Sequence, residues 1–122
     1  MILESVIHSC DVSVPIRDFQ IVHDWTYLLF EEFFKQGDLE RQKGLPISML
    51  CDRNTTNVAK SQPGFISFVT LPLFTALGHI MPVIAKDVEV MKQNLQQWKT
   101  YEETEDDKKV YTVKVAPKEE TK

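Results

Sequence analysis

Cysteine is scarce in this chain. Only Cys10 and Cys51 occur, and they form neither a Cys-x-x-Cys pair nor a disulfide framework. Both are expected to be buried, reduced thiols of an intracellular, cytoplasmic protein. A surplus of positive charge is also missing: 14 Lys and Arg against 18 Asp and Glu leave a net charge of −4. That argues against a nucleic-acid partner, whose binding surface needs clustered Lys and Arg. There is no Gly-x-Gly-x-x-Gly, phosphate loop or nucleophile elbow, and there are no repeats or low-complexity segments. No signal peptide is visible, because Glu4 interrupts the apolar start and no small-residue cleavage site follows. The apolar run 64–85 is divided by Pro72, Gly78, His79 and Pro82, so it reads as a buried helix pair and not as a transmembrane segment.

What is present fits one all-α domain. A chain of 122 residues with 43% hydrophobic and 26% charged residues has ordinary composition and can bury a core of its own. Residues 1–10 read as a largely buried helix, with Ile2, Leu3, Val6 and Ile7 at three- and four-residue spacing. Asp11 follows where that helix ends, so its carboxylate is expected to be nearly buried, and therefore paired, hydrogen-bonded or metal-bound. His8 and Asp11 have a metal-ligand spacing, although a capping Asp beside a satisfied core His is the plainer account. Pro15 stops the helix.

From Asp18, a fair N-cap, to Gln36 the period is helical. Ile21, Trp25, Leu29 and Phe33 make one apolar stripe and Tyr27, Phe30 and Phe34 a second, so burial on more than one side is expected. Glu31 and Lys35 form a surface pair. Gly37 is read as a break or kink, Asp38 to Lys43 as added charged turns, and Gly44 as the C-terminal cap. Residues 45–60 show no period but are apolar enough to pack over something. A helix follows from Ser61 to about Leu77, with Phe65, Phe68, Val69 and Leu73 inward and a kink at Pro72. Pro82 starts a last helix with a seam of Ile84, Val88, Met91, Leu95 and Trp98. Residues 1–101 form the body, and 102–122 a charged, solvated tail with a short edge strand over Tyr111, Val113 and Val115.

The stretch Ser61-Gln62-Pro63-Gly64-Phe65 carries the most chemistry. Ser61 is read as an N-cap, with Pro63 tolerated in the first turn. Gln62 and Phe65 then share one helix face. An amide offers donors and an acceptor to the polar edge of a flat heterocycle, and a ring beside it can stack on the face. A helix start with a core Phe is the bland alternative.

Taken in order, these pieces resemble the C-terminal third of a class I 3′,5′-cyclic nucleotide phosphodiesterase catalytic domain, from about Ile2 to Trp98. The series is His8-Ser9-Cys10-Asp11-Val12-Ser13-Val14-Pro15, Trp25, Glu31 to Asp38, Gly44-Leu45-Pro46-Ile47-Ser48, Leu50-Cys51-Asp52-Arg53, and Ser61 to Ile66. The resemblance implies an all-helical fold of which this chain is an incomplete, C-terminal part. It implies that Asp11 is a metal ligand, that Gln62 bonds the purine, and that Phe65 stacks on it opposite Leu29. Phe33, Leu50 and Ser61 match positions lining the same pocket, and 45–60 matches a mobile loop over it. Implied cofactors are Zn2+ and Mg2+ (or Mn2+), and the implied reaction is hydrolysis of cAMP or cGMP to the 5′-monophosphate.

The family's two metal-binding histidines, its other metal-binding aspartate and its acid histidine all precede the Asp11 motif. Only seven residues precede His8 here, so the chain alone is expected to be inactive. His23 and His79 match no metal position. Val14 stands where many members carry a purine-reading asparagine, which leans toward cGMP or dual specificity. Pro63 replaces an aliphatic residue. The remainder of a catalytic domain, or partner proteins, would cover the apolar faces of 1–10 and 61–85. The other reading is an inactive remnant that serves as a structural or interaction module.

Overall fold

The chain is described over residues 1–111 by a computed structural model, with Tyr111 placed by its backbone alone. These residues are helical and contain no strand: α1 Ile2–Asp11, α2 Phe19–Gln42, α3 Val58–Phe65, α4 Leu71–Ile80, α5 Ala85–Thr100 and α6 Glu105–Tyr111. Short 3-10 turns at Val14–Ile16 and Pro82–Ile84 follow α1 and precede α5. Of the expected edge strand, Tyr111 closes α6, while Val113 and Val115 lie outside the described residues.

The α2 helix starts as its sequence dictates, with the Asp18 side chain accepting from the Gln20 N–H at 3.0 Å. It ends on Gly44 at φ +67°. There the Leu45 N–H reaches the Glu40 carbonyl at 2.9 Å and the Gly44 N–H reaches Arg41 at 3.1 Å, a Schellman closure that only a left-handed residue permits. Glu31 and Lys35 pair at 2.7 Å. The stripe of Val22, Tyr27, Phe30 and Phe34 is fully buried, packing on Ile66, Phe74, Met91 and Trp98. Each large side chain there contributes roughly 1.5–3 kcal/mol of burial. The stripe of Ile21, Trp25, Leu29 and Phe33 differs from expectation: its first three residues are exposed and Phe33 is half-buried, so among the described residues α2 is buried on one side only. Gly37 does not break α2, which continues through it to Gln42.

The apolar run 64–85 falls on two successive helices that part at Met81, as expected, but the first of them starts earlier. Helix begins at Val58, where the Asn57 side chain caps it by accepting from the Lys60 N–H at 2.7 Å, and it continues to Ile80. Ser61 is therefore no cap, and its hydroxyl donates back to the Val58 carbonyl at 2.6 Å. Pro63 falls in the second turn, where its ring nitrogen withdraws the bond that the Ala59 carbonyl would accept. The irregularity expected at Pro72 takes the form of a π-helical segment just before it, Ile66–Thr70, closed by Leu71 N–H to the Ile66 carbonyl. The buried face is Ile66, Thr70, Phe74 and Leu77, whereas Phe65, Phe68 and Val69 are exposed, Phe68 by 86%. By length and composition Val58–Ile80 is apolar enough to cross a membrane. Core helices of soluble proteins meet the same test, and Ile66, Thr70, Phe74 and Leu77 are buried within this fold.

Helix α1 departs furthest from its reading. Ile2, Leu3 and Ile7 are 61–71% exposed, and Ser9 is its one buried residue. Asp11 and Cys10 are exposed too, while Cys51 is buried as expected. The spacing is that of an amphipathic helix, but among the described residues its apolar side is poorly covered, with only Val6 half-buried. Large apolar patches of this kind mark surfaces that something else covers.

The expected solvated tail is instead partly built in. Thr104 and Asp107 cap α6 reciprocally, Thr104 N–H to Asp107 Oδ2 at 2.7 Å and Asp107 N–H to Thr104 Oγ at 3.1 Å. Tyr101 donates to Asp107 at 2.8 Å, and His23 Nε2 meets the Tyr101 hydroxyl at 2.9 Å and Asp107 at 3.1 Å. Burial alone would raise the Asp107 carboxyl, but bonds from Thr104 and Tyr101 and the nearby His23 outweigh it and hold it below the usual range. A depressed carboxyl contributes stability that is whole above the unfolded-state value, near 4, and is lost as pH falls through the folded-state value. Thermal melts should thus show an acid-side decline, beginning as pH falls through about 4, that Asp107→Asn flattens. Parallel curves for the two proteins would contradict this.

Candidate functional site

A cavity of about 380 Å³ opens between α2, α3 and the turn after α1, within the size range of small-molecule sites. Its walls include Asp11, Leu29, Phe33, Leu50, Ser61, Gln62 and Phe65. These are the seven site residues singled out from the sequence, drawn from four separate stretches. Val12, Val14, Pro15, Val22, Trp25, Thr26 and Phe30 complete it. Thr26 was missed by sequence reading. Its signal was the row one helical turn before Phe30, hidden because a buried threonine resembles a surface one.

Each wall has a mechanical cause. On α2, Trp25, Leu29 and Phe33 recur every four residues and so line one face. The Val14–Ile16 turn is held by Asn94 of α5, whose amide donates to the carbonyls of Pro15 and Arg17, each at 2.8 Å. Asn94 is buried, so these bonds answer a group that would be costly to leave unpaired. It shares the seam of α5 with Met91 and Trp98, and a polar residue there gave no sign of its partners.

Leu50 comes from the loop after α2, which is docked and not free. Glu40 accepts from the Ser48 backbone N–H and hydroxyl, both at 2.7 Å. Those two bonds, and one from Gln36, hold the Glu40 carboxyl below its usual range. Asp38 receives Arg53 in a forked ion pair, and Asp52 receives Arg41 at 2.8 Å. The loop backbone lies so close to α2 that a Cβ on Gly37 would stand 1.9 Å from the Cys51 carbonyl oxygen. Next to that contact Leu50 adopts φ +67°, a left-handed conformation costing a leucine on the order of 1–3 kcal/mol. The docked loop imposes it and so sets Leu50 on the rim.

Gln62 is 8% exposed. Because the Ser61 hydroxyl spends its proton on Val58 O, it meets Gln62 only as an acceptor. The Gln62 amide must therefore turn its NH2 end to Ser61, at 3.2 Å. Its carbonyl and second N–H have no other bond among the described residues. Phe65, three residues on, stands on the same wall. The cavity therefore offers apolar faces with a few convergent polar groups at one side, suited to a flat heterocycle.

Asp11 is a hard oxygen donor on the cavity wall and fits as one ligand of a divalent metal ion such as zinc, magnesium or manganese. It is exposed, which leaves it open to such an ion, although burial had been expected. The described residues contain no group of three His, Cys, Asp or Glu able to hold one. They fit one corner of a metal site and do not make the site.

Known proteins match this sequence and this fold. The sequence profile of the 3′5′-cyclic nucleotide phosphodiesterases matches residues 1–110. The dual specificity calcium/calmodulin-dependent 3′,5′-cyclic nucleotide phosphodiesterase 1 of Drosophila melanogaster is 44% identical over 93 residues, 76% of this chain and 11% of its own. The dual specificity phosphodiesterase 1B of Mus musculus is 40% identical over 102 residues, 80% of this chain and 19% of its own. The solved structure of LmjPDEB1 in complex with IBMX superposes with a TM-score of 0.74 at 30% identity, over 79% of this chain and 29% of that one. The chain thus spans about a tenth to a fifth of the length of these curated relatives. With its sequence and its helical fold both matching, the chain belongs to the 3′5′-cyclic nucleotide phosphodiesterase family.

Proposed function

We propose that this chain forms the base-binding wall, and one metal-ligand corner, of a cytoplasmic phosphodiesterase that hydrolyses cAMP, cGMP or both to the 5′-monophosphate. The observation that carries it is the convergence of Asp11, Leu29, Phe33, Leu50, Ser61, Gln62 and Phe65 on one cavity. In this reading Gln62 bonds the polar edge of the purine, Phe65 and Leu29 close on its two faces, and Phe33, Leu50 and Ser61 exclude water around it. Asp11 holds one position on a divalent cation, zinc with magnesium or manganese beside it. When bound, such ions supply Lewis acidity at the phosphoryl group. The dual specificity of the curated relatives and the valine at position 14 both favour a pocket that takes either purine.

The exposed apolar side of α1, with Phe68 and Ile80, favours a covering surface, either the remainder of a catalytic domain or a partner protein. An inactive module that only binds such a partner is the second reading. Product analysis separates the two. The complete polypeptide carrying residues 1–122 should convert cAMP or cGMP to the 5′-monophosphate, and residues 1–122 alone should not. A complete polypeptide that folds but neither binds nor converts either nucleotide would leave only the module.

A further inference from the structure

We propose that Glu103 is a positioning residue for the cavity: through the strap 101–107 it holds the first turn of α3, and with it Gln62 and Phe65, at its distance from α2. This rests on the nucleotide-site reading above.

Glu103 is not among the residues lining the cavity, so any effect must pass through what it touches. One of its oxygens accepts from the Ala59 backbone N–H at 2.9 Å, and the other accepts from the Asn57 side-chain amide at 3.2 Å. Asn57 is itself the cap of α3. A single carboxylate thus anchors the cap residue and satisfies a first-turn N–H, at the end of a helix where negative charge is favourable. This turn depends on outside help more than most. Pro63 removes the intrahelical bond to the Ala59 carbonyl, so the segment from Asn57 to Gln62 is held by less of its own ladder.

The other end of the strap is fixed to α2. Tyr101 and Asp107 close around His23, two residues before Trp25 of the cavity wall. The Glu103 carboxylate also lies against α2. Burial, and after it the Glu103 and Asp107 charges, push the Tyr27 phenol well above its usual range. The strap therefore ties α2 to the start of α3 through residues that do not line the cavity, and Gln62 lies three residues beyond Ala59. A loosened first turn would let the amide and the Phe65 ring drift from the α2 wall that carries Leu29.

The test uses the complete polypeptide as wild type, Glu103→Ala, Glu103→Gln and the surface control Glu105→Ala. Two quantities are measured: amide exchange over residues 58–62, and affinity for fluorescent N-methylanthraniloyl cAMP and cGMP. Glu103→Ala should speed exchange and weaken binding, each about tenfold, the size of one lost charge-assisted hydrogen bond. Glu103→Gln keeps an acceptor for Ala59 but sets an NH2 against the Asn57 donor, so it should fall between wild type and Glu103→Ala in both. Glu105→Ala should match wild type. Unchanged exchange in Glu103→Ala overturns the strap, and faster exchange with wild-type affinity overturns the positioning role. A wild type that binds neither analogue overturns the nucleotide reading, and the exchange data then still decide whether Glu103 holds α3.

Discussion

Gly37→Ala is expected to destabilise the protein by about 3 kcal/mol and to unseat the loop that carries Leu50. In an ordinary helix interior the same change stabilises by about 1 kcal/mol, because alanine loses less backbone freedom on folding than glycine. Here the sign reverses. The new Cβ would lie 1.9 Å from the Cys51 carbonyl oxygen and 2.7 Å from its carbon. Both are backbone atoms, so no side chain can swing away. The loop must lift, and the Glu40–Ser48, Asp38–Arg53 and Arg41–Asp52 contacts stretch with it. Gly78→Ala supplies the contrast, since a Cβ there meets nothing within 4 Å, and it should stabilise by roughly 0.5–1 kcal/mol. Denaturant midpoints at constant slope measure both. If the two variants shift the same way, the close approach of loop and helix is wrong.

Gln62→Ala should lower the affinity of the complete polypeptide for cyclic nucleotides about thirtyfold, roughly 2 kcal/mol, while leaving its melting temperature nearly unchanged. The reasoning is that a purine edge entering the cavity gives up its water and must recover those bonds from the wall. The Gln62 amide retains a free carbonyl and N–H for that purpose once Ser61 has taken one proton. Removing the amide strands the ligand's polar atoms. It removes little from the fold, because the one bond lost is to an exchangeable hydroxyl. Ser61→Ala is informative beside it: the amide would lose its fixed orientation, so discrimination between the two purines should change more than overall affinity. Isothermal titration with cAMP and cGMP measures both variants. Equal affinity of wild type and Gln62→Ala would remove Gln62 from the site.

Much of this was legible in the residues. The helical class, the Asp18 and Gly44 caps of α2 and the Glu31–Lys35 pair are local chemistry, and each was found where spacing placed it. The cavity wall was legible for a different reason: its residues form an ordered series of short motifs that resemblance could match. What could not be read was which apolar face is covered. The run from Phe65 to Leu77 is apolar nearly all round, so its period does not choose between Phe65 and Ile66. The inward face passes through Thr70, which polarity alone would have turned outward. Helix α1 has the spacing of a buried helix, but burial also needs a neighbour, and neighbours are a tertiary fact. The strap was missed because Glu, Asp and Lys suggest solvent, yet Thr104 with Asp107 three residues later carried a capping signature.

The π-helical segment Ile66–Thr70 has a consequence for chain length. One residue more than an α-helix needs is wound into this stretch, so the turns on either side keep the angular phase of a helix one residue shorter. Gln62 can therefore face the cavity while Phe74 packs in the core with Met91 and Trp98 of α5. Elsewhere in the helix the loss of one residue would rotate everything beyond it by about 100°. Within 66–70 the same loss would preserve both faces and bring only the Pro72 ring against the carbonyl four residues before it. The surplus residue takes up the irregularity next to Pro72, whereas Pro63 is accommodated by the loss of a single ladder bond.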